Sequence, residues 1–220
     1  MNTNTKIAIA FASILATGVI AFAAIAAVQN ANRPTPTIDD ATGVAATVEE
    51  NSHRLDDVPD APVTVVEFLD FECEACGAFY PFVEELRVKY DGQINYVIRY
   101  FPIPSHNNST TAALAVEAAA QQGKLEQMYN RMFETQAQWG ESGESKADLF
   151  RTYAQEIGLD MSQYDNAIAD PKTAERVAFD FEAGRSLGVN GTPTFFVNDK
   201  KLELQSLEDL EAAIVSELPK

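Results

Sequence analysis

From residue 60 onward the apolar positions follow two periods. Behind Asp60-Ala61-Pro62, Val63, Val65, Val66, Phe68 and Leu69 form a nearly continuous run of β-branched and aromatic residues, the pattern of a strand buried on both faces. Glu67 interrupts it. A carboxylate inside such a strand is costly unless it stays neutral or has a partner. Glu67 is therefore either an edge position reaching water or a proton acceptor. Phe79, Phe82, Val83, Leu86 and Tyr90 then recur at helical spacing. They predict a helix over 77–90, kinked at Pro81 and ended by Gly92. Residues Ile94 to Phe101 return to the strand pattern. A strand–helix–strand unit of this spacing predicts a parallel pair with a right-handed crossover.

Pro102, Pro104, His106 and Asn107-Asn108 break the pattern, and a helical stretch opens at Ser109. Its first helix ends before Gly123. Leu125, Met128, Tyr129, Met132 and Phe133 mark an amphipathic second one. After a break at Trp139-Gly140, Leu149, Phe150, Tyr153, Ala154 and Ile157 mark a third, closed by Gly158. Asp170-Pro171 is a cap followed by proline at the first helical position, and Val177, Ala178 and Phe181 carry that helix toward Gly188. These Met, Tyr and Phe stripes read as core. The strand pattern returns at Thr192-Pro193-Thr194-Phe195-Phe196-Val197, with Asn198-Asp199 as a hairpin turn and Lys201 to Leu204 as its partner. Ser206 and Asp209 resemble a capping box before a last helix through Leu207, Leu210, Ile214 and Leu218.

Upstream the pattern changes. Residues Ile7 to Val28 carry no charge and are about the length that spans a bilayer, about 20 residues. This predicts a membrane anchor in residues 1–28, with a cleavable signal peptide as the rival at Ala24-Ile25-Ala26. Lys6 precedes the run, and Arg33, Asp39 and Asp40 come after it, which orients the N-terminus inside and the rest outside. Residues 29–59, with Pro34, Pro36 and Gly43, read as a linker holding at most a short strand near Val44 to Val48. The compact domain is then 60–218. A net charge of −17 excludes nucleic acid and anionic membrane surfaces as partners.

Two cysteines occur in 220 residues, and they stand together as Cys73-Glu74-Ala75-Cys76, between the first strand and its helix. A helix start offers free N–H groups and a positive dipole end that stabilise a thiolate, the form that attacks disulfides. A zinc site needs about four ligands. Only His53 and His106 remain as soft candidates, without zinc-finger spacing. A structural disulfide across so short a loop would stabilise little. The redox-active dithiol is the reading that remains, with no metal.

Strand, Cys-x-x-Cys helix, strand, helical stretch, Thr-Pro strand, strand, helix: this order resembles a thioredoxin fold with an inserted helical domain at about 105–187, an α/β architecture preceded by the N-terminal anchor. More narrowly, the chain resembles the DsbA-like thiol–disulfide oxidoreductases of bacterial cell envelopes. The residues that carry the likeness are Asp60 to Phe68, Cys73 to Cys76, Arg99-Tyr100-Phe101-Pro102 and Gly188 to Val197. The resemblance implies that Cys73 is the exposed nucleophile and Cys76 the buried resolving partner. It also implies that Pro193 is a cis-proline against the dithiol, that Thr192 faces the substrate peptide, and that Glu67 is the buried acid under Cys76. It implies exported thiol-bearing proteins as substrates, a quinone-linked membrane partner, and no cofactor beyond the Cys73–Cys76 disulfide. Glu74-Ala75 stands where the type member has Pro-His, and Thr192 where it has Val, which leaves the redox direction open.

The expected activity is an extracytoplasmic oxidase. A reductase or isomerase of the same fold, or a binding or holdase module, is the rival. Glu72 and Glu74 flank Cys73, with Asp70 close by, and negative neighbours raise a thiol's pKa. They predict a disulfide less oxidising than that of DsbA.

Overall fold

The computed structural model describes residues 35–38 and 45–219. The apolar run at 7–28, and the choice between anchor and signal peptide, lie outside the described residues. No helix among the described residues is long and apolar enough to cross a membrane.

The compact unit Pro36–Lys220 is built of β1 (His53–Asp56), β2 (Val63–Leu69), α1 (Glu74–Lys89), β3 (Ile94–Tyr100), α2 (Ser109–Ala120), α3 (Leu125–Glu134), α4 (Ala147–Glu156), α5 (Met161–Ala169), α6 (Pro171–Ser186), β4 (Thr194–Val197), β5 (Lys200–Lys201) and α7 (Glu208–Glu217). The strands form one sheet in the order β1-β3-β2-β4-β5. The β2–β3 pair is parallel and every other pair is antiparallel. The apolar run of β2 is thus the centre of the sheet, where burial on both faces is required.

One face carries Val63, Val65, Leu69, Tyr96 and Ile98 against α1, α7 and the inserted helices. The other carries Val66, Phe68, Val97, Phe101 and Phe196, packed with Phe181 and Leu187. Helix α6 comes close on that face because residue 184 is glycine. A Cβ there would stand 2.8 Å from Phe101 and 2.9 Å from Phe68. Within the insertion, α2 is the hub. Its buried Ala112, Ala113, Ala115, Ala118 and Ala119 are small enough to let α3, α4, α5 and α6 all approach it. Trp139 seals the far side, edge-on to Phe150 at 4.8 Å.

Local predictions translate directly at the turns. Asn198 and Asp199 both adopt positive φ, 45° and 65°, as a two-residue hairpin requires. The Asp170 carboxylate caps α6 at Lys172 N, with Pro171 at the first position. Helix α1 runs on through Pro81 to Lys89.

The linker assignment of 29–59 is corrected in its second half. β1 is an edge strand paired antiparallel to β3. Ala45 and Thr47 are buried, and Ala46 and Thr47 both accept hydrogen bonds from Arg99 Nη1 at 3.0 Å. The sequence His-Arg-Leu-Asp of β1 is half-buried throughout and has no alternation, so its backbone pairing left no hydrophobic pattern to read. Strand β5 is shorter than the expected 201–204.

Candidate active site

The dithiol stands at the C-terminal end of the central strand. β2 ends at Leu69, and the Asp70 carboxylate immediately organises the next turn. One oxygen accepts from Glu72 N at 2.9 Å; the other accepts from Ile103 N at 2.9 Å and pairs with His106 Nδ1 at 2.7 Å. The Asp70 carbonyl accepts from Cys73 N at 3.1 Å. The chain then enters α1 with Cys73 as the N-cap residue. Gln136 reaches over from the insertion and donates from Nε2 to the carbonyls of Phe71 and Cys73, both at 2.8 Å.

Both cysteines are free thiols in contrasting surroundings. Cys73 is partly exposed, whereas Cys76 is 1% exposed. The Cys73 pKa is held down at about 5. A hydrogen bond from the Cys76 side chain is the largest cause. Burial opposes it, and the Thr192 hydroxyl and the N–H groups of Cys76 and Ala75 add to it. Burial drives the Cys76 thiol the other way, well above the ordinary thiol range, helped by Cys73 and by the Glu67 charge.

Glu67 lies in the sheet below, 2% exposed. Its one hydrogen bond among side chains comes from Tyr96 Oη at 2.6 Å. Burial raises its pKa to about 7, the Tyr96 bond only partly opposing. The edge alternative for Glu67 is thereby removed, since β2 is central. The Thr192–Pro193 bond is cis, and the Cys73 thiol donates to the Thr192 carbonyl at 3.3 Å.

The carboxylate reading of the flanks needs correction. The Glu72 side chain is 3% exposed and accepts from Asn108 N at 2.6 Å, so it is engaged at the insertion. Glu74 and Ala75 are exposed on the outer side of the turn. The Cys73 shift runs downward because donors within hydrogen-bond reach outweigh exposed charges that water screens.

Sequence reasoning gave no role to two residues that the fold brings here. His106 comes from the β3–α2 loop and Gln136 from a 3₁₀ turn, Gln136–Gln138, after α3. His106 lines a cleft of about 480 Å³ together with Glu72, Cys73, Glu74, Ala75, Ser105, Asn107 and Glu141. A larger concavity, about 1080 Å³, lies among Thr47, Thr64, Asn95 and Asn198 at the opposite end of β2. It holds no sulfur, and the chemistry belongs to the smaller cleft.

Residues 58–216 match the family described as Thioredoxin. The chain is similar to a thioredoxin-like oxidoreductase from Silicibacter pomeroyi DSS-3, at 31% identity and a TM-score of 0.64, over 76% of this chain and 92% of that one. It shares its fold with BdbD from Bacillus subtilis, at 23% identity and a TM-score of 0.63, over 72% and 89% of the two chains. Among curated proteins it is 40% identical to the Na(+)/H(+) antiporter NhaA 3 of Salinispora tropica, over 71% of this chain. The chain spans only 23% of that antiporter's length, so the likeness is confined to one part of it.

Proposed function

Because the chain belongs to the thioredoxin family and has the fold of its DsbA-like oxidoreductases, we propose that it exchanges disulfides with exported proteins through Cys73 and Cys76, as an oxidase on the extracytoplasmic side of a membrane. The observation that carries this reading is the asymmetry of the two sulfurs. Cys73 is accessible with a pKa of about 5, and Cys76 is buried with its pKa raised. A thiolate that stable at neutral pH is a good leaving group and favours the reduced dithiol, which makes the disulfide oxidising.

In this direction a substrate thiolate attacks Cys73 Sγ of the Cys73–Cys76 disulfide. The S–S electron pair goes to Cys76, which takes a proton from Glu67, a carboxyl still substantially protonated near neutral pH because its pKa is raised to about 7. A second substrate thiolate attacks the mixed disulfide, the substrate leaves oxidised, and Cys73 departs as thiolate. Thr192 and Pro193 would hold the substrate backbone beside the sulfur. A membrane partner of the quinone-linked kind would restore the disulfide, and an anchor at residues 7–28 would keep the domain near it.

The test is thiol alkylation in intact cells, with trapping in variants. Both cysteines should be found mainly oxidised. Cys76→Ser should accumulate mixed disulfides with exported proteins and Cys73→Ser should not. A dithiol kept reduced in cells would reverse the direction to a reductase or isomerase. Failure to exchange with any thiol in vitro would leave a binding module.

A further inference from the structure

Resting on the oxidoreductase reading, we propose that His106, aimed by Asp70 into the cleft beside Cys73, is the base that takes the proton from the incoming substrate thiol. The geometry begins with Asp70. Its carboxylate is fully buried and is the joint between two segments. One oxygen fixes the dithiol turn at Glu72 N; the other fixes the β3–α2 loop at Ile103 N and His106 Nδ1. The imidazole is therefore placed relative to Cys73 through a single rigid group. A carboxylate only accepts, so Nδ1 carries the hydrogen of the 2.7 Å contact, and in the neutral ring this leaves the Nε2 lone pair free. The imidazole is 33% exposed, and it lines the same cleft as Cys73. A histidine ring held at one nitrogen by a buried carboxylate and open at the other is the arrangement of a general base.

The charge of the cleft explains why a base is needed. Besides Cys73 and His106, its ionisable walls are Glu72, Glu74 and Glu141, and the whole chain carries −17. Such a field repels an anion approaching from solvent. A substrate cysteine therefore enters as the neutral thiol, which is about 97% of it at pH 7 for an ordinary pKa of about 8.5. Inside, the thiol proton passes to His106 Nε2 while the sulfur forms its bond to Cys73 Sγ. The Cys73–Cys76 bond breaks, and its electron pair leaves with Cys76, which Glu67 protonates. His106 returns its proton to solvent before the next cycle. Glu67 and His106 thus serve different sulfurs.

The test uses the oxidised protein against two small thiols at pH 7, one alkyl thiol of ordinary pKa and one nitro-substituted aromatic thiol already ionised at that pH. Two variants are compared with wild type. His106→Ala removes the ring, and His106→Asn keeps a donor toward Asp70 while removing Nε2. For the alkyl thiol both variants should lose about tenfold in rate at pH 7, below the about 30-fold that full ionisation could supply. The loss should vanish as pH rises past the thiol's own pKa. For the aromatic thiol the rates should stay within about twofold, since no proton remains to be taken. The alkylation profile of reduced Cys73 should not move. Equal losses for both thiols, or none for either, would overturn the role of His106 while leaving the oxidoreductase reading intact. Wild-type protein inert toward both thiols would sink the two together.

Discussion

The two faces of one sheet each bury a carboxylate, Asp180 on one and Glu67 on the other, and treat them differently. On the α6 face, Asp180 is fully buried but fully answered. Arg99 Nε donates to one oxygen at 2.7 Å; Tyr100 N at 3.2 Å and Arg176 Nη1 at 2.7 Å serve the other. Arg99 is itself sandwiched between the rings of Phe68 and Phe179, at 5.2 and 5.6 Å, and its Nη1 ties down residues 46 and 47. On the α1 face, Glu67 has Tyr96 and, among the described residues, nothing cationic beside it. A buried charge matched by cations and hydrogen bonds stays put and holds elements together. A buried carboxyl given a single neutral donor sits near its titration midpoint at physiological pH, and so can move a proton. The difference separates what this sheet uses for architecture from what it uses for chemistry.

The largest effect should come from breaking the architectural side. Asp180→Ala leaves Arg99 charged in the core without its counter-ion, and truncating one partner of such a pair costs about 3–5 kcal/mol. Urea denaturation should register that loss. Exchange rate per folded molecule and the alkylation profile of Cys73 should not change. A variant that stays folded but loses exchange would erase the distinction between the faces.

The next effect tests the chemical side through pH. The folded-state pKa of Glu67 is raised from 4.5 to about 7. The native protein therefore binds more protons than the unfolded chain between those values, and stability falls as pH rises through that window. The gap corresponds to about 3 kcal/mol. Glu67→Gln removes the titration, so the variant should match wild type near pH 4 and be the more stable of the two at pH 8. Its exchange should also slow, because Cys76 loses its proton donor. Parallel stability curves across pH 4–8 would mean that Glu67 does not titrate in that window.

How far all this could be read from the chain depends on which contacts are local. The dithiol, its helix, the central strand and the Asn198-Asp199 hairpin were legible, because hydrophobic period and turn chemistry act over a few residues. The fold family emerged from the order of those elements. Glu67 was visible as a flaw in an apolar run, but its fate depended on β2 being central, which is a matter of sheet order. His106 and Asp70 are 36 residues apart, Arg99 and Asp180 81. No periodicity links such pairs; only the folded chain does. The surroundings of Cys73 were illegible for the same reason. Glu72 is adjacent to Cys73 in sequence, yet its carboxylate is spent on Asn108, 36 residues away.

The smallest effect concerns how the insertion grips the dithiol turn. Gly77 lies in the first turns of α1, where alanine would ordinarily stabilise a helix by about 1 kcal/mol. A Cβ at that position, however, would collide with Gln136 Oε1 and stand 2.8 Å from its Cδ. The Gln136 side chain is flexible and would swing away, giving up both of its hydrogen bonds to the Phe71 and Cys73 carbonyls, each worth about 1 kcal/mol. Gly77→Ala in the wild-type background should therefore destabilise by about 1 kcal/mol net. In a Gln136→Ala background, where nothing is displaced, the same substitution should stabilise by about 1 kcal/mol. The reversal of sign is a coupling of about 2 kcal/mol between the two sites, readable in a double-mutant cycle by chemical denaturation. An identical change in both backgrounds would mean that the glycine is not there to admit Gln136. The carbonyls of the dithiol turn would then owe their orientation to α1 alone.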